Sequence, residues 1–217
     1  MRSAAVWRGV LLALLAVASV AALYVAFVQA RADMATLRAR ANLADWQTRL
    51  PKTLPLAELG RAERDLRAGL ALVPDDPNLH EGLAFISGWR ASYASAVPEL
   101  RDALLEAMVT HYRAALQSRP MAPYAWAGVE RGLHLLVREP AAMWLAFDRA
   151  LAYGSREGGV QTQLAMIALA RWASLDEARR QAVLTMVAGA TGKSLGVLQQ
   201  QFAAAGIALP EASGAAD

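Results

Sequence analysis

The stretch Gly189-Ala190-Thr191-Gly192-Lys193-Ser194 is where this chain comes nearest to a chemical motif. A loop that cradles phosphate needs a glycine five residues before Gly192 and a buried strand leading into it. Val187 stands at that position, and the residues before it follow a helical pattern, so a turn between helices is expected. His80, His111 and His134 lie far apart with no HExxH spacing and no i, i+4 pair of histidines, which gives no metal site. The acids stand mostly beside arginines, as in Glu63-Arg64-Asp65-Arg67 and Asp176-Glu177 with Arg179-Arg180. Such runs form solvated helix faces rather than acid/base pairs. No serine occupies a GxSxG elbow, and the absence of cysteine excludes thiol catalysis, disulfides and Cys-ligated zinc. No catalytic, cofactor-binding or metal-binding residue is predicted, and the chain is expected not to be an enzyme. The formal charge is only +3, and the arginines are scattered rather than clustered, so no nucleic-acid partner is expected.

Recognition through aromatic side chains is the remaining chemistry. Trp89, Tyr93, Tyr124, Trp126, Trp144 and Trp172 could line a concave groove between stacked helices. Tyr112, Trp126 and Phe147 stand at the spacing of core positions. Tyr93 and Tyr124 fall near helix ends, free to face a partner, and are the candidate partner-binding residues.

These side chains must be positioned by helices. Alanine and leucine dominate, strand-like alternation of Val, Ile and Thr is missing, and the pattern predicts an all-α fold. Val10 to Val28 carries no charge and is flanked by Arg8 and Arg31; with Ala30 the run reaches the roughly 20 residues that a membrane-spanning helix needs. Trp7 and Tyr24 suit the interfaces. Val28-Gln29-Ala30 would also satisfy a cleavage rule, but the apolar run exceeds the ~7–15 residues usual in a signal peptide. A membrane anchor over residues 1–30 is therefore expected, with the lipid bilayer as a partner. Arg31, Arg38, Arg40 and Arg49 outnumber Arg2 and Arg8, which by charge alone would keep the C-terminal part in the cytoplasm. A short basic N-terminus before a first apolar segment is nevertheless the form of an export signal-anchor, and a periplasmic domain is expected.

Residues 31–55 read as a helical stalk or linker. Met34, Leu37, Ala41 and Ala44 share one face, a first packing helix is the competing reading, and Pro51 and Pro55 bracket a break. Residues 56–206 are expected to form one helical domain. Leu66, Gly69 and Leu70 precede a stop at Pro74, and Asp76 can cap a helix whose first turn holds Pro77. Ser95 to Glu99 supplies a cap, a proline and an acid for a long helix from Pro98 to Gln117, with Leu100, Leu104, Met108, Tyr112 and Ala115 inward. Leu164, Ile167, Ala168 and Trp172 share a later face, Leu175-Asp176-Glu177 caps the next helix, and Gly206 ends the last one. Residues 207–217 read as a disordered tail.

An aromatic, two spacers and an Ala-Leu pair occur twice, as Tyr112-Arg113-Ala114-Ala115-Leu116 and Phe147-Asp148-Arg149-Ala150-Leu151. The step between them is close to the ~34-residue period of tetratricopeptide (TPR) repeats. A large ring fills the gap between paired helices while the small Ala of the motif lets their backbones approach. Pro120 ends one helix and Trp126 begins the next. A TPR-like helical-repeat (α-solenoid) domain behind a transmembrane helix is thus predicted. With Pro123-Tyr124-Ala125-Trp126, Gln163-Leu164-Ala165 and Leu169-Ala170-Arg171-Trp172, these motifs resemble the VpsP-type polysaccharide biosynthesis proteins, which are membrane-anchored and TPR-like. Glu130, where the repeat has glycine, and Leu66, in place of the aromatic, depart from the repeat. The resemblance implies a non-enzymatic scaffold of the bacterial inner membrane, single-pass, acting in exopolysaccharide or O-antigen biosynthesis and export. Its protein partners would be the polysaccharide polymerase and export machinery. The alternative is a TPR adaptor in another envelope pathway, such as cytochrome maturation, pilus assembly or secretion.

Overall fold

The computed structural model describes residues 2–49 and 53–209. Among them are nine α-helices and one 3₁₀ turn: α1 Arg2–Arg49, α2 Leu56–Leu70, α3 Pro77–Tyr93, α4 Pro98–Ser118, α5 Pro123–Leu136, α6 Pro140–Gly154, α7 Gly158–Ala170, the 3₁₀ turn Trp172–Ser174, α8 Glu177–Ala188 and α9 Gly192–Ala204. The all-α prediction holds for these residues. The expected tail from Pro210 onward and the break at Pro51 lie outside them. The chain divides into two compact units, Met1–Gly82 and Leu83–Asp217.

In the first unit, α1 is long and apolar enough near the N-terminus to cross a membrane, and none of its apolar stretch is buried. The same helix runs on without interruption and packs against α2. Its packed face is not the one carrying Met34 and Leu37, which are 79% and 68% exposed; Ala32, Thr36, Ala39, Leu43 and Trp46 are buried instead. Small residues decide the choice of face. A β-carbon at Gly69 of α2 would stand 2.3 Å from Thr36 Cγ2 and 3.6 Å from the Ala32 carbonyl oxygen, so the backbones meet where side chains are shortest. Thr36 turns its hydroxyl back to the Ala32 carbonyl at 2.8 Å and buries no unpaired donor. Asp76 accepts from the Asn78 backbone at 2.8 Å and caps α3, with Pro77 in the first helical position, as the sequence implies.

In the second unit, α4 packs on α5, α5 on α6, and α7 lies against α5, α6, α8 and α9. Two expectations for α4 are corrected. Ser95 does not cap it: the helix starts behind Val97 with no side-chain cap, because Pro98 fixes the first turn and has no amide to satisfy. Leu100 does not point inward but is 48% exposed. The buried stripe runs through Leu105, Met108, Val109 and Leu116, about a third of a turn away at 3.6 residues per turn. Where α4 crosses α5, the Tyr112 ring lies over Gly128: a β-carbon there would come within 2.2 Å of Tyr112 Cε2. The sequence places the small partner of this ring at the alanine of its own motif, Ala115; the residue the ring covers is Gly128 of the next helix, where the absent side chain leaves room for it. Trp126 donates its indole N–H to the Pro120 carbonyl at 2.7 Å, which ties the α4–α5 turn.

Trp172 falls outside α7, contrary to its expected place on that helix face. Its ring stands edge-on to Phe202 of α9, centroids 5.9 Å apart. Asp176 caps α8 by accepting from the Arg179 backbone at 2.8 Å. Residues 189–191 of the glycine-rich stretch form the α8–α9 turn, and Gly192 to Ser194 open α9. Gly206, at φ +70°, closes α9: its amide reaches the Ala203 carbonyl while Ile207 reaches Phe202.

Candidate functional site

Tyr93 closes α3 and is 38% exposed, its ring 6.2 Å from Trp89, which is itself 6.3 Å from Phe85. The helical spacing of four residues makes these three rings an aromatic ladder along α3. Tyr124 opens α5 and is 54% exposed. Its ring covers Gly159 of α7, where a β-carbon would approach to 3.0 Å. Partial burial first, then the charge and hydrogen bond of Glu157, raise its hydroxyl pKa above the usual value. Both predicted partner-binding residues therefore keep exposed ring surface. They have separate neighbours, and neither lines the grooves that follow.

One groove of about 340 Å³ lies among α4, α5 and α6, lined by Arg113, Leu116, Gln117, Trp126, Val129, Ala142 and Leu145. A second, about 530 Å³, lies between α6 and α8 and includes Leu151, Arg156, Gln181, Ala182 and Met186. Arg179 of α8 stands at one end of that side. It donates to both carboxylate oxygens of Asp148 at 2.8 Å and to Asp176, and lies 5.2 Å above the Trp144 ring centroid. This bidentate clamp fixes α6 against α8. Hydrogen bonding to Asp148 raises the guanidinium pKa against a smaller opposing effect of burial.

A polar cluster that the sequence pattern does not predict lies between α5 and α7. Glu130 of α5 is fully buried, and neither carboxyl oxygen has a hydrogen-bond partner among the described residues. Gln163 of α7 lies beside it but gives its amide hydrogen to the Ala127 carbonyl. Burial pushes the Glu130 carboxyl from 4.5 up to about 8, while the Gln163 amide and the charges of Arg131 and Arg171 pull the other way. The acid is accordingly held neutral at pH 7. One turn along, His134 Nδ1 accepts from Arg171 Nε at 3.1 Å, which leaves the ring proton on Nε2. Burial and the Arg171 charge lower the His134 pKa below its usual value. The one sequence signal for this cluster is Glu130 itself, an acid in a helix whose neighbours Ala127, Gly128 and Val129 are all core residues.

A buried acid without a hydrogen-bond partner costs stability rather than adding it, and as placed it reaches no solvent-exposed site. Among the described residues no three His, Asp or Glu side chains converge as a metal site. No protein-family model, curated protein or solved structure matches this chain. Fold and surface define its class directly: an all-helical protein with a potential membrane-spanning helix at its N-terminus and open grooves between its later helices.

Proposed function

We propose that this chain is a single-pass, membrane-anchored scaffold whose TPR-like helical domain binds protein partners of a bacterial polysaccharide assembly and export system. The observation that carries the reading is the continuity of α1. Its uncharged stretch exposes Leu11, Leu14, Val17, Leu23 and Phe27, a surface that water disfavours and lipid accepts. The same helix then enters the packing with α2, so the first packed helices sit directly on the anchor. The groove among α4, α5 and α6 joins apolar floor residues to Arg113 and Gln117 at its rim, a suitable seat for an extended or helical peptide. Tyr124 adds an exposed ring at the start of α5. The polysaccharide assignment rests on the resemblance of the repeat motifs.

Affinity purification of the full-length chain from its native membrane, in mild detergent, tests this reading. Polysaccharide polymerase, flippase or glycosyltransferase subunits are the expected co-purifying proteins, recovered in smaller amount with Tyr124→Ala. Haem-maturation, pilus or secretion components in their place would overturn the polysaccharide assignment and favour the adaptor reading.

A further inference from the structure

The packed side of α1 leaves the opposite side of the same helix apolar and open. Met34, Leu37, Ala41 and Ala44 follow one another at intervals of three, four and three residues, the spacing of a coiled-coil seam. All four are exposed, Met34 and Leu37 among the most exposed large apolar side chains of the chain. At 3.6 residues per turn they lie across the helix from Ala32, Thr36, Ala39, Leu43 and Trp46, which α2 covers. A second copy of the chain could therefore meet this face without disturbing the α1–α2 contact.

Charges flanking the seam select the occupant. Asp33 and Arg40 stand just before the seam residues Met34 and Ala41, while Arg38 and Asp45 stand just after Leu37 and Ala44. In a parallel pair of helices each residue of the first set faces the residue five further on in the other chain. Asp33 then meets Arg38 of the second copy, and Arg40 meets Asp45 of the second copy: both contacts are attractive, and each occurs twice. Within one chain Asp33 already pairs with Arg40 at 2.6 Å and Asp45 with Arg49 at 2.6 Å, whereas Arg38 has no ion-pair partner among the described residues. Pairing the chains gives each carboxylate a further cation and gives Arg38 its first acid.

We propose that residues 34–44 of α1 form the seam of a parallel, two-stranded coiled coil with a second copy of this chain. The parallel sense rests on the membrane-anchored reading, because two spans that enter from the same side hold their helices in one direction. A seam of about two heptads is weak in free solution, and confinement to a membrane raises its effective concentration.

The chain contains no cysteine, so a single introduced thiol reports on one position. Met34→Cys, Leu37→Cys, Ala41→Cys and Ala44→Cys, each in the full-length chain in its membrane, are oxidised and compared with Ala35→Cys and Asn42→Cys on the flank. Disulfide-linked dimer at the four seam positions is expected to exceed that at the two flank positions about fivefold. Asp33→Arg should lower the Leu37→Cys dimer about threefold, and adding Arg38→Asp should restore it, since the swap rebuilds the interchain pair. Equal linkage at all six positions, no linkage at any, or failure of the swap to restore it would overturn the proposal. Alkaline extraction of the same membranes reports on anchoring separately. Chains released with the seam pattern intact would end the anchored reading and keep the coiled coil.

Discussion

The α1–α2 contact and the surroundings of α5 solve the same problem differently. Both bring helices unusually close by means of small residues. Between α1 and α2 these are Ala32, Ala39, Ala62 and Gly69, and the one polar group, Thr36, satisfies itself within its own helix. Around α5, Gly128 and Gly132 admit Tyr112 and Val109 of α4, while the same helix buries Glu130 beside Gln163 of α7. The first contact depends on shape alone. The second adds a group whose charge state is linked to folding, so the two regions should answer differently to bulk and to pH.

Added bulk gives the largest effect. Gly128→Val forces carbon into the Tyr112 ring, which is wedged between helices, and should cost about 3 kcal/mol or more. Denaturant unfolding of the detergent-solubilised chain, followed by helical circular dichroism, measures it. Gly69→Ala adds a single carbon against the Thr36 methyl and Leu79 Cδ1, a smaller volume than the valine side chain, and should cost about 1–2 kcal/mol. Equal losses at the two sites would erase the distinction.

The response to pH should single out Glu130. Its folded pKa of about 8 lies above its ordinary 4.5, so the folded chain holds a proton that the unfolded chain has released. Stability from this group is complete below 4.5 and falls as pH rises towards about 8. His134, lowered from 6.5, acts in the opposite sense below that value, which leaves 6.5 to 8 as the window where Glu130 dominates. There stability should fall by up to about 1.4 kcal/mol per pH unit, and Glu130→Gln should flatten the slope. An unchanged slope in the variant would remove Glu130 from the account.

Smaller effects follow at the edges of the second unit. Arg179→Lys loses the fork that spans both oxygens of Asp148 and should cost about 1 kcal/mol, read as a lower unfolding midpoint. Val137, exposed and at φ 54° behind α5, holds a left-handed conformation that β-branched residues avoid. Val137→Gly should therefore stabilise the chain by up to about 1 kcal/mol, and a loss of stability would contradict that assignment of strain.

The parts legible in the sequence were those set by local pattern. The uncharged run before Arg31, the Asp76 and Asp176 caps, Pro98 at a helix start, and Gly206 behind α9 each act within a few residues. Trp126 was expected to open α5, but Pro123 does, because its fixed φ suits a first helical turn and it has no amide to satisfy. The place of Tyr112 between helices was legible in part: the ring was expected there, but the small residue beneath it was read as the alanine of the same motif, and Gly128 lies on the next helix. Which face of α1 packs was not: Met34 and Leu37 look like core residues, and only the short side chains on α2 decide for Ala32 and Thr36. Glu130 was visible as a departure from the repeat, but its burial depends on α7, more than thirty residues further along the chain. Leu100 was misplaced because α4 is long enough to carry two apolar stripes, and α5 takes the second.

The anchored scaffold depends most directly on α1 remaining part of the mature chain. Membranes from cells producing the full-length protein are extracted at alkaline pH, and the intact mass of the retained chain is determined. A membrane anchor requires a chain that stays in the membrane pellet and whose mass still includes the apolar residues up to Ala30. A released chain beginning at Arg31 would make the apolar helix a signal sequence and contradict the account.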